Sequence, residues 1–84
     1  MAHALYAKEV TLTTSYAAIE SARTEVHCTI SAPSTNAANA YVEGVGGADV
    51  RLVPGEWHEF ARIDLSLVKV KGTVGDVLTV VGEG

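Results

Sequence analysis

The sequence predicts an all-β domain, a small antiparallel β-sandwich or barrel of six to seven short strands, and three observations carry that reading. Apolar and polar residues alternate with a period of two along most of the apolar runs. Gly, Pro, Asn and Asp break those runs at intervals of roughly eight to twelve residues, the spacing of short strands joined by tight turns. No fixed-period repeat and no shift of composition divides the 84 residues, so a single β-sandwich domain spanning 1–84 is expected.

The elements follow in order. In AKEVTLT, Lys8, Val10 and Leu12 share one face and Glu9, Thr11 and Thr13 the other. TSYAAIESA is read as a connection, because Tyr16 and Ile19 fit equally a single helical turn or a loop pinned by two apolar anchors. RTEVHCTI alternates Thr24, Val26, Cys28 and Ile30 with Glu25, His27 and Thr29, one buried face and one wet face. SAPSTNAAN is a small-residue loop in which Ser34, Thr35 and Asn36 are suited to bonding their own backbone. A strand around Tyr41 to Glu43 leads into a turn at Gly44 to Gly47, then a strand with Val50 and Leu52 opposite Asp49 and Arg51.

Pro54-Gly55 places proline at the second and glycine at the third position of a type II turn, where positive φ is required. EWHEFARI then carries apolar groups on both faces, with Trp57 and Ile63 on one parity and His58 and Phe60 on the other. Asp64 and Ser66 mark a corner that each is able to cap. The closing stretch reads as a plain β-hairpin, VKVK and DVLTVV about a GTVGD turn held by Gly72 and Gly75. Lys69 and Lys71 occupy its solvent parity, where lysine discourages stray edge pairing. The expected core is Val10, Leu12, Val26, Cys28, Ile30, Val50, Leu52, Phe60, Val68, Val70, Leu78 and Val80.

Composition narrows the function. Six Lys and Arg stand against ten Asp and Glu, and the formal charge of −4 argues against a general grip on phosphate backbones, so nucleic acid is not an expected partner. No apolar run approaches the roughly 20 residues that cross a bilayer, so no membrane role is expected. The first residues lack the basic and apolar segments of a secretory signal, which points to synthesis and assembly in a cytoplasm. Cys28 is the single cysteine, so no internal disulfide forms, and its alternating context suits a small buried hydrophobe. A short chain with a thin core and no staple is expected to gain stability by self-association, with a trimer favoured.

Reactive constellations are missing from the pattern. His3, His27 and His58 form no HxH or HxxxH spacing, and adjacent His27 and Cys28 point to opposite faces of a strand, so no metal site is expected. There is no G-x-S-x-G turn, and GVGGAD lacks the following Lys-Ser/Thr of a phosphate cradle. The expectation is a non-enzyme without cofactors. The aromatic residues carry more: if Phe60 faces the core, Trp57 is left on the outer face, and Trp57, Ile63 and Tyr41 are the candidate protein interface. Capping of the end of the domain by Trp57 is the competing structural reading.

VRLVPGEWHEFARIDLSLVKVKGTVGDVLTVVG, about the last third to half of the chain, resembles small tailed-phage virion accessory proteins. The residues that carry the likeness are Leu52, Pro54, Gly55 and Glu56; Asp64, Leu65 and Ser66; Val68, Val70 and Gly72; and Gly75 with Asp76. Trp57 and His58 depart from the small polar or aliphatic pair usual there. The resemblance implies a virion structural protein that decorates or cements a bacteriophage capsid, with the major capsid protein or another virion protein as partner. A tail, neck or fibre-base component is the alternative within that class. A carbohydrate-binding module with Trp57 and Tyr41 as stacking platform is the alternative from another.

Overall fold

The computed structural model describes residues 4–84 and is all-β. Eight strands follow one another, β1 (Leu5–Thr11), β2 (Ala17–Ala18), β3 (Glu25–Ser31), β4 (Ala40–Glu43), β5 (Asp49–Leu52), β6 (Trp57–Asp64), β7 (Lys69–Lys71) and β8 (Val77–Glu83). They form two antiparallel four-stranded sheets, β1-β8-β3-β6 and β2-β7-β4-β5. The strand beyond the expected six or seven is the two-residue β2, inside the stretch read as a connection. There Ile19 is buried as an anchor.

The sheets share one core. Val26, Cys28, Ile30, Leu78 and Val80 from the first meet Ala40, Val42, Leu52 and Val70 from the second, and Leu12, Ile19, Ala32 and Leu65 come in from the connections. Period-two alternation explains the strand members, since each points the same way as its cross-strand partner. Eight of the twelve expected core residues are buried, while Val10, Phe60 and Val68 are partly buried against the cluster. Val50 departs from expectation and stays 42% exposed. It has the inward parity, paired with buried Val42, but β5 is an edge strand and Val50 opens on a cleft instead of closed packing.

The closing hairpin is not a hairpin. β7 pairs with β2 and β4 in the second sheet, whereas β8 pairs with β1 and β3 in the first, so residues 72–76 arch from one sheet to the other. The end of β1 takes both flanks of that arch: Leu12 N–H donates to the Asp76 carbonyl at 2.8 Å and Gly72 N–H to the Thr13 carbonyl at 2.8 Å. Gly72 is required by packing, because a Cβ there would lie 2.7 Å from Leu12 Cδ1. Gly75 supplies a left-handed φ of 95°. β7 is an interior strand, so Lys69 and Lys71 guard no edge, contrary to expectation.

Polar side chains lock the connections. Asn36 pairs with residue 77 as a strand would, its Nδ2 donating to the Val77 carbonyl at 2.8 Å and its Oδ1 accepting from Val77 N–H at 3.0 Å. Asp76 accepts from Ala37 and Ala38 N–H at 2.9 and 3.1 Å. Both are buried, and each polar pairing offsets the cost of that burial. The expected corner is present: Asp64 Oδ1 accepts from Thr24 N–H, Ser66 N–H and the Ser66 hydroxyl. Those donors hold the Asp64 carboxyl below its usual range, the Thr24 bond foremost. The Pro54-Gly55 turn is closed by Glu56 N–H to Val53 C=O at 2.9 Å, with Gly55 at φ 92°, as the type II reading requires.

Candidate functional site

Three surfaces gather the residues that could make contacts. The first is the outer face of the β1-β8-β3-β6 sheet. Trp57 sits opposite Ser31, and Val81 opposite Ala7 and Thr29, so these side chains share the face turned away from the core. Leu5, Trp57 and Val81 are 77%, 61% and 45% exposed there. A shallow concavity on this face, away from Trp57, is lined by Leu5, His27, Thr29, Glu59 and Val81, with His27 Nε2 3.5 Å from Glu59 Oε2. Its floor is Gly82, where a Cβ would approach the His27 carbonyl oxygen to 2.0 Å.

The second surface is the outer face of the β2-β7-β4-β5 sheet. Tyr41 pairs with Lys71 and with Arg51, and Tyr16 precedes β2 at the next position along the row. The Lys71 ammonium lies 4.6 Å from the centre of the Tyr16 ring and 5.8 Å from that of Tyr41, a cation held between two aromatic faces. Burial pushes the Tyr16 hydroxyl up to about 12, and the Asp49 carboxylate adds to the shift. That hydroxyl is buried and, among the described residues, in hydrogen-bond geometry with no partner.

The third is a cleft between the two sheets at the β5 and β6 edges, about 210 Å³ and lined by Val42, Val50, Phe60, Ile63 and Val68 with Glu43 and Gly44 at its rim. Phe60 and Ile63 reach it together because β6 carries an irregularity. Val26 pairs with Ile63 but Cys28 with Phe60, so β6 holds one extra residue across that step. A bulge of this kind resets the alternation of faces. The parity that grouped Ile63 with Trp57 therefore fails, and Ile63 packs on the core with Phe60.

The three expected interface residues are thus placed on three different surfaces. Trp57 is on the outer face of the first sheet, Tyr41 is half-buried on the outer face of the second, and Ile63 lines the cleft. Leu5, Val81 and the Tyr16–Lys71 pair were missed by sequence reasoning. Their signal is cross-strand registration, which alternation within one strand does not contain.

The reactive groups are scattered. Cys28 is buried, and desolvation raises its thiol pKa, the environment of an inert cysteine. His27 is on an exposed strand face, and the His58 ring lies 6.4 Å from that of Phe60. His3 lies outside the described residues. Among the described residues no three His, Cys, Asp or Glu side chains cluster as metal ligands would, and no helix is long and apolar enough to cross a membrane. Comparison with known proteins returns no match: no protein family, no curated protein and no solved structure is similar to this chain at a level that carries an inference.

Proposed function

We propose that this chain is a non-enzymatic virion protein that decorates or cements a tailed-phage capsid through repeated protein–protein contacts, acting as a homo-oligomer. The observation that supports the reading best is the outer face of the first sheet, where Leu5, Val81 and Trp57 expose apolar side chains on a four-stranded antiparallel framework. Exposed apolar side chains, tryptophan above all, are the anchors that a protein contact uses. Modest affinity per copy suffices when many copies bind a repeating lattice. A tail or neck position uses the same surface, and copy number per particle separates the two, many for the head and a small ring for the tail. The glycan reading draws less support, because Trp57 and Tyr41 face away from each other on separate sheets and form no shared stacking platform.

The test is to add purified protein to particles that lack it and to measure occupancy. Trp57→Ala is expected to leave the far-ultraviolet spectrum unchanged and to weaken binding by about 2 kcal/mol if Trp57 is a central anchor. Normal occupancy with that variant moves the contact elsewhere. No binding by the unmodified protein overturns the decoration reading.

A further inference from the structure

The first sheet ends in β6 and the second in β5, and both free edges border the same apolar cleft, where Val50 stands across from Phe60 and Ile63. We propose that a second copy of this chain closes that cleft. The two molecules are related by a two-fold axis along the strands, with β5 of each pairing antiparallel to β6 of the other. Two four-stranded sheets then become two eight-stranded sheets around one continuous core.

The register follows from the chain. β5 enters β6 through the tight Pro54-Gly55 turn, so the two strands run in opposite directions at matching heights on either side of the cleft. A two-fold axis along the strands preserves height and exchanges the two layers. Val53 and Glu56 close that turn at one height, so face parity admits registers one residue to either side of level, and the proposed seam takes the one that sets Val50 opposite Phe60, Arg51 opposite Glu59 and Val53 opposite Trp57.

The faces agree. Val50 and Phe60 have the inward parity, through their pairing with Val42 and Cys28, and exchange of layers turns both toward the same core. Arg51 and Glu59 have the outward parity, through Tyr41 and Thr29, so the seam carries an opposite-charge pair that symmetry repeats. The β6 bulge lies between Phe60 and Ile63, just past the paired stretch. The other possible two-fold, which sets β6 against β6, places that bulge in the middle of its seam. Three exposed apolar side chains, Val50, Val53 and Trp57, find partners in the proposed seam. Two edges opening on one side close as a pair, in place of the trimer that the sequence favoured.

This pairing specifies the self-association in the function proposed above, and its test does not involve particles, so either can fail alone. Sedimentation at high micromolar concentration is expected to give a dimer. Arg51→Glu and Glu59→Arg, each singly, are expected to raise the dissociation constant about tenfold or more, and the double variant to restore it. Under oxidising conditions, an equal mixture of Arg51→Cys and Glu59→Cys proteins is expected to form a disulfide-linked dimer that neither gives alone. A monomer or trimer in sedimentation, a double variant no tighter than the singles, or a mixture that does not cross-link overturns the proposal.

Discussion

Each side of the molecule presents one free edge from each sheet, and the two sides are finished differently. On the β1 and β2 side, Lys8 has the inward parity, yet its ammonium donates to the Ile19 carbonyl at 2.8 Å and lies 3.3 Å from Glu20 Oε2. The Tyr6 hydroxyl donates to the same carboxylate at 2.5 Å. β2, only two residues long, offers little to pair with. An inward charge and a very short strand are both ways by which sheets discourage added partners. On the β5 and β6 side Glu43 is, among the described residues, the one charged residue at the rim of the cleft, and the valine, phenylalanine and isoleucine side chains within it meet the solvent. One side is a terminus, whereas the other has the chemistry of an interior waiting for its second half.

The largest effect is expected from Gly82→Ala, which removes the comparison altogether. Gly82 lets β8 lie between β1 and β3, and a methyl group there collides with the His27 carbonyl and with Cys28. Overpacking against backbone is expected to cost at least about 3 kcal/mol, a large share of a small domain's stability. Thermal unfolding followed by circular dichroism measures it. Retention of the parental midpoint would show that β3 and β8 tolerate separation.

Next is Lys8→Ile, which gives the closed side the character of the open one. The expected result is concentration-dependent assembly beyond the species formed by the parent, seen by sedimentation. An unchanged distribution would mean that the short β2, and not the inward lysine, limits pairing there.

Acid sharpens the contrast further. Bonds from the Tyr6 hydroxyl and then Lys8 hold the Glu20 carboxyl below its usual range, as the Arg23 guanidinium does for Glu25. A carboxyl whose folded pKa is lowered contributes stability that is present above the ordinary carboxylate range and lost as pH falls through the folded value. Tyr6→Phe is therefore expected to narrow the stability difference between neutral pH and the acid side of that range. Denaturant midpoints measured across that interval check it, and an unchanged difference would remove Tyr6 from the account.

The smallest effect is expected from Tyr16→Phe. Its hydroxyl is buried without a hydrogen-bond partner among the described residues, so deletion removes an uncompensated desolvation cost and is expected to leave stability unchanged or to raise it by up to about 1 kcal/mol. A loss of stability would reveal that Asp49 bonds this hydroxyl in solution.

What was legible in the chain was local. Alternation in RTEVHCTI named β3 and its buried face, Pro54-Gly55 named a turn closed within four residues, and Asp64 to Ser66 named a corner through its local bonds to Ser66, though not its bond from Thr24. What was not legible depends on residues distant in sequence. Val68–Val70 and Leu78–Val80 alternate as a hairpin would, but nothing in alternation tells a strand which sheet it joins. Asn36, suited to a local turn, instead bonds a residue 41 positions away. The bulge in β6 likewise appears only against β3, and it moved Ile63 from the outer face to the cleft. The candidate surface was split for the same reason, since Trp57, Tyr41 and Ile63 shared a description as exposed aromatic or apolar groups without sharing a sheet face.

The arch between β7 and β8 also sets how fast this protein reaches its native state. A terminal hairpin would form within microseconds as a local nucleus, but β8 has no neighbour in sequence to zip against. Its partners are Leu5 to Thr11 and His27 to Ser31, so the central seam of the first sheet closes loops spanning most of the chain. Chain entropy opposes those closures before any contact rewards them, which places folding in the millisecond-to-second range of all-β domains. During that interval the edges of β1 and β3 that flank β8 in the native sheet are open, the stage at which crowding between copies is most hazardous.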